Sequence, residues 1–201
     1  MGKAEENKQK KRTALLSQSF SLFMNKGISK TTISDIVEKA GVAKGTFYQY
    51  FKDKEDLVEK LIAQKAETLL NNSIKRLDKE EREMDTTDKL IFIADDLLEQ
   101  LRNNKKLLIF INKNLNTGFL YKALTNKEVK KEVDVLGLLK TSLETEDGEW
   151  SDPDLMLYTI IELVNSTCYT IILRNYPVDL ETYKPYLFEC IRSIIQAYKV
   201  P

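Results

Sequence analysis

Apolar residues recur three and four positions apart through most of the chain, and little interrupts them. Leu16, Phe20, Phe23 and Met24 set the spacing, and Ile33, Ile36, Val37 and Ala40 repeat it. Leu90, Ala94, Leu97 and Leu101 do so again, as do Leu187, Ile191, Ile194 and Ile195. That period gathers one stripe on a helix but scatters residues over both faces of a strand. With 7 Gly and 4 Pro in 201 residues, the chain also lacks the turn residues that many short strands require. The expectation is an all-α protein of about nine helices.

The breakers divide it. Gly27 closes the first helix. Thr32, with Asp35 three residues on, caps a second that Gly41 ends. A third, short helix covers about 43–50, and Asp53 caps a long fourth. Further helices are expected at "TTDKLIFIADDLLEQL", at "KKLLIFINKNL" and, with a weaker stripe of Val129, Val133, Leu136 and Leu143, at "NKEVKKEVDVLGLLKTSL". Ser151 or Asp152, with Pro153, opens a helix to about 174. It is apolar on most sides, which suits a central position or a subunit contact. The last helix is expected over about 183–198, its start left open by Pro185, which fits only a first turn or a kink.

Charge is balanced but unevenly placed. The 31 Lys+Arg match the 31 Asp+Glu, yet residues 1–54 hold eleven basic residues against five acids. A basic head on an acidic body points to a polyanionic partner for the head. There is no His, which removes the usual general base, Ser-His and Cys-His pairs and most zinc sites, so the chain is read as a non-enzyme without metal or cofactor. Cys168 and Cys190 lie on apolar helix patterns and read as small buried hydrophobes, with a redox switch as the alternative. No apolar run approaches the roughly 18 residues of a membrane span. The start "MGKAEENKQKKR" lacks a signal-peptide centre, so a cytoplasmic location and no membrane are expected.

The stretch "AGVAKGTFYQYFKDKEDL", residues 40–57, carries the functional signal. Helix, glycine turn and short helix is the helix-turn-helix arrangement, whose second helix enters the major groove. At about 100° per residue, Phe47 and Phe51 share the inward face. Gly45, Thr46 and Gln49 fall opposite, with Tyr48 and Tyr50 on the flanks. Small and polar groups then meet base edges, tyrosine hydroxyls reach phosphates, and Gly45 lets the backbone come close. Lys44 and Lys54 stand at helix N-termini, where the macrodipole disfavours a cation by about 0.3–1 kcal/mol. A phosphate there reverses the sign.

Residues 31–57, "TTISDIVEKAGVAKGTFYQYFKDKEDL", resemble the DNA-binding domain of the TetR family of bacterial transcriptional regulators. The resemblance covers about 50 N-terminal residues. It implies an N-terminal helix-turn-helix domain, here 1–57, and a C-terminal effector-binding and dimerisation domain, 58–201. It also implies a homodimeric repressor on a palindromic operator of double-stranded DNA, released by a small-molecule effector. Thr32, Tyr50 and Lys54 would contact phosphate, and Lys44, Gly45, Thr46 and Tyr48, with Gln49 beside them, would lie in or next to the groove. Two positions depart from the pattern: Ala43 stands where a capping Ser is common, and Tyr50 where His is common. The last two helices, about 152–174 and 183–198, would form the subunit contact.

On the 152–174 helix Glu162, Asn165, Ser166 and Tyr169 recur at i, i+3, i+4 and i+7. Such a polar stripe fits a ligand cavity, a solvent edge or a hydrogen-bonded seam between subunits. Phe92, Phe110, Phe119, Trp150 and Tyr158 are aromatic candidates for a lining or for plain core. A buried Glu162 favours a cationic effector. The alternative function is a helical DNA-binding adaptor whose C-terminal domain takes a protein partner instead of a small ligand.

Overall fold

The computed structural model describes residues 2–115, 137–139, 141 and 150–200. Eight helices are named among them: α1 Lys3–Lys26, α2 Ile33–Ala40, α3 Lys44–Tyr50, α4 Lys54–Leu77, α5 Thr86–Asn103, α6 Lys105–Leu115, α7 Pro153–Arg174 and α8 Leu180–Tyr198. No strand occurs among the described residues; Trp150 and Lys199 form one isolated bridge. Most of the helix expected over 126–143 lies outside the described residues, although 137–139 and 141 are helical.

The chain divides into two compact units, Met1–Ala63 and Gln64–Pro201. In the first, Leu15, Leu16 and Phe23 of α1 are buried with Ile36, Val37, Phe47, Phe51, Leu57 and Leu61. Local chemistry sets its turns. Gly27 (φ 83°) and Gly41 (φ 65°) both adopt the positive φ that L side chains resist. Thr32 and Asp35 form a reciprocal capping box. Asp53 Oδ1 accepts from Asp56 N at 2.7 Å and caps α4. Two side-chain contacts orient α2 antiparallel to α1: Lys26–Asp35 at 2.8 Å and Lys39–Ser21 at 2.9 Å.

The second unit buries Leu70, Leu90, Ile93, Leu98, Met156, Leu157, Ile160, Ile171, Leu187 and Ile191 in one cluster. α7 packs on α8 and α6, and α8 on α5. On α5 the buried stripe centres on Leu90, Ile93, Ala94 and Leu98, with Leu97 and Leu101 only partly covered. Charged residues seam the helices. Lys184 is buried, and its ammonium meets Asp95 at 2.7 Å and also Glu99. Burial alone would lower its pKa, but those two carboxylates outweigh it and raise it. Asp96 is held by Ser73 at 2.7 Å, by Gln100 at 2.8 Å and by Arg76.

Several expectations change here. Asp152, not Ser151, caps α7, accepting from Leu155 N at 3.0 Å. α8 starts at Leu180 under an Asp179 cap, so Pro185 sits inside the helix. There it removes the bond to the Glu181 carbonyl and crowds that oxygen with its ring. Cys168 is buried, and burial pushes its thiol up, but Cys190 is exposed. α7 is also long and apolar enough to span a bilayer by length and composition. Only 33% of its most apolar 18-residue stretch is buried within this chain.

Candidate nucleic-acid interface

α3 is held from behind and open in front. Phe47 and Phe51 are 0% and 1% exposed, with ring centroids 5.4 Å apart. The edge of Tyr48 meets Phe47 in a T-shaped contact at 5.4 Å, yet Tyr48 remains 53% exposed. Lys60 fixes the C-terminal end of α3: its ammonium donates to the Tyr50 carbonyl at 3.3 Å and stands 5.6 Å over the Phe51 ring.

On the front, Lys44, Gly45, Tyr48 and Gln49 are exposed, and Thr46 and Tyr50 half-buried. The hydroxyls of Tyr48 and Tyr50 and the ammonium of Lys44 engage no described residue. A Cβ built on Gly45 meets nothing within 4 Å. Packing therefore does not require glycine here, and neither does φ; free approach from outside is the remaining physical reason. Ala43 supplies no side-chain cap to α3, as a cap position lacking Ser, Thr, Asp or Asn must.

Two residues assigned to phosphate by sequence have other partners. Lys54 Nζ donates to the carbonyls of Ile28 at 3.0 Å and Thr31 at 3.2 Å. At the start of α4 its ammonium thus already meets the turn between α1 and α2. Thr32 donates both its N–H (2.7 Å) and its hydroxyl (2.8 Å) to Asp35 Oδ2, while its oxygen accepts from Asp35 N at 3.1 Å. Neither Thr32 donor is left for a phosphate in this arrangement. Asp35 is held well below the usual carboxylate range, first by the Lys26 ammonium, then by the Thr32 N–H and hydroxyl. No signal in the sequence marked the Ile28 and Thr31 carbonyls, since any residue carries one.

The residues read as a ligand lining do not share one place. Trp150 is buried, but it bridges to Lys199, and Ser151 N donates to the Tyr198 carbonyl at 2.9 Å. Asn165 lies some fifteen residues farther on, about 20 Å along α7, and accepts from Asn112 of α6 at 3.2 Å. Trp150 thus stands apart from Asn165. Ser166 faces solvent; Tyr158, Glu162 and Tyr169 are half-buried; Phe110 is buried and Phe92 partly so. Phe119 lies outside the described residues. Glu162 retains enough solvent contact that its charge does not demand a cationic ligand.

Comparison with known proteins bears on this architecture. Residues 15–61 match the profile described as "Bacterial regulatory proteins, tetR family". An uncharacterised HTH-type transcriptional regulator of Bacillus subtilis, YfiR, is 30% identical over 99 residues, 49% of this chain and 46% of that protein. The chain thus spans about half the length of that relative. The "Fatty acid metabolism regulator protein" of the same organism is 24% identical over 94% of this chain and 97% of its own. The solved structure of Thermus thermophilus FadR, a TetR-family repressor in complex with lauroyl-CoA, has the same fold, with a TM-score of 0.61 at 20% identity over 94% of this chain and 96% of that one. The α2–turn–α3 front lies inside the residues that match the tetR family of bacterial regulatory proteins, so it is this N-terminal unit that is similar to that family.

Proposed function

We propose that this regulator is a dimeric repressor that binds a palindromic operator and releases it when its C-terminal helical unit takes a small-molecule effector. The observation that carries the DNA half is the front of α3. Lys44, Gly45, Thr46, Tyr48 and Gln49, with Tyr50 at the flank, are presented over an aromatic anchor that keeps the helix from rotating. Direct readout falls to Thr46 and Gln49, and phosphate contact to Lys44, Tyr48 and Tyr50. Two such helices about 34 Å apart reach successive major grooves, which is why a palindrome and a dimer go together.

The apolar surplus of α7 supports the dimer, because most of its residues outside the buried set remain half-buried within one chain. On α8 the exposed residues Tyr186, Cys190, Ser193 and Ala197 continue this face at helical spacing. A second copy laid on both helices would cover this face. For the effector we assign a long-chain acyl-CoA. Its support is the end-to-end similarity to a fatty acid metabolism regulator and the shared fold with an acyl-CoA-bound repressor. Phe92, Phe110 and Tyr169 are the candidate tail contacts, with Asn165 an orienting polar group.

The test is a selection of bound duplexes from a random pool, followed by titration of the complex with lauroyl-CoA, free CoA and lauric acid. Enrichment of an inverted repeat is expected, with release by the thioester alone. Failure to enrich any repeat sinks the operator reading; a complex indifferent to saturating acyl-CoA sinks the effector.

A further inference from the structure

The first three turns of α1 stand apart from every core. Residues 2–11 are exposed at every position, and the first buried residue is Leu15. The tetR-family match also begins at residue 15, so this segment is outside the matched domain. It carries Lys3, Lys8, Lys10, Lys11 and Arg12 against Glu5 and Glu6. A helical segment this short has little stability of its own in water, and here no apolar packing supplies it.

Its charge is arranged along the helix. Lys8, Lys11 and Arg12 precede Leu15, Leu16, Ser19 and Phe23 at spacings of three and four. The stripe of α1 that is buried from Leu15 onward is thus basic before it, with Glu5 one turn earlier in the first turn, where the helix dipole favours an acid. Neither Lys8 nor Lys11 makes an ion pair with a described residue. The direction of the arm is also fixed. Because Lys26 meets Asp35 and Ser21 meets Lys39, α1 runs backward along α2. Its residues before Ser21 therefore continue past the Gly41 end of α2, the end from which α3 begins. Lys11 and Lys8 lie about 15 and 20 Å beyond Ser21 along the axis.

We propose that the N-terminal arm of α1 is a second DNA-contacting element, in which Lys8 and Lys11 contact phosphates of the operator duplex beside the groove that α3 enters. The partner is double-helical DNA: the exposed cations extend from the same end of the domain as Lys44, and a phosphate backbone is the polyanion already present there. The arm adds affinity without sequence preference, since ammonium groups on phosphates carry no base information. The proposal rests on the DNA-binding reading of α3.

Replacing both residues (Lys8→Gln with Lys11→Gln) in the full chain tests it, with operator and random duplexes titrated over 50–200 mM salt. Each lost phosphate contact lowers the slope of log K against log salt by roughly 0.9, so a dimer loses up to about 3.6. Affinity for operator and random DNA is expected to fall together, leaving their ratio unchanged. The Lys8→Arg/Lys11→Arg protein should keep the native slope, and the native circular dichroism spectrum should survive in both variants. An unchanged slope and affinity in the Gln variant overturn the arm while leaving α3 as the reader; so does a changed operator-to-random ratio. Failure of the native chain to bind any selected duplex overturns the DNA reading, and the arm with it.

Discussion

Replacing Lys54 with Met separates two jobs that a lysine at a helix start can do. The substitution keeps the aliphatic stem and deletes only the donors to the Ile28 and Thr31 carbonyls, at 3.0 and 3.2 Å. Hydrogen bonds from a charged group contribute about 1.5–3 kcal/mol each where buried. Lys54 is only half-buried and water replaces part of what is lost, so about 2 kcal/mol for the pair is the working figure. For a chain of this size that lowers Tm by roughly 4–8 °C. Operator affinity should also fall, because the turn that carries Thr31 and positions α2 loses its tie to α4. Yet the salt slope should stay at the native value, since no phosphate contact disappears. Thermal melts by circular dichroism and salt-dependent titrations decide the matter. A Met variant with native Tm and a slope lowered by about 1.8, one contact per protomer, would show that Lys54 is a phosphate ligand and that the carbonyl bonds are incidental.

Other outcomes follow from the same structure. Gly45→Ala should stabilise α3 by up to about 1 kcal/mol, because the new Cβ meets nothing, yet weaken operator binding; parallel melts and titrations check both signs. Asp35 has a depressed pKa, so its stabilisation is full at neutral pH and is lost as pH falls from about 4 through the folded value. The difference in urea midpoint between native and Asp35→Asn proteins should therefore shrink toward pH 2, and a constant difference would refute the ionic role. Tyr186, 69% exposed on α8, should become a monomerising position as Tyr186→Glu, read by sedimentation velocity; a dimer of native affinity would move the subunit contact elsewhere.

What was legible in the sequence was what neighbours decide. Thr32 and Asp35 announce their capping box because both partners lie within one turn, and Phe47 and Phe51 announce their burial because four residues return a side chain to the same face. The carbonyl partners of Lys54 are illegible for the opposite reason. They lie 23 and 26 residues away and belong to the backbone, which no residue type signals. Trp150 was grouped with α6 and α7 aromatics by chemistry alone, and the rise of α7 puts it about 20 Å from Asn165. Cys190 follows an apolar pattern yet is exposed, because periodicity identifies a covered face without saying whether the same chain or a second copy covers it.

The start of α3 shows why local rules fail where function begins. Ala43 leaves the helix uncapped, at a cost of about 1 kcal/mol relative to Ser or Asp. Lys44 opposes the dipole by about 0.3–1 kcal/mol, and Gly45 forfeits about 0.5–1 kcal/mol relative to Ala. Three consecutive choices therefore weaken a helix of seven residues. Phe47 and Phe51, essentially without solvent contact, return about 1.5–3 kcal/mol each. The helix exists because its back is anchored strongly enough to let its front be unfavourable. That asymmetry has no structural use in the free protein, since a capped helix with Ala at position 45 would fold better on the same anchor. It has one on DNA, where a small front, free N–H groups and an unpaired ammonium all find acceptors. Installing the cap and the alanine together (Ala43→Ser with Gly45→Ala) should give a more stable protein with reduced operator affinity, and each single variant measured alongside should carry part of both effects.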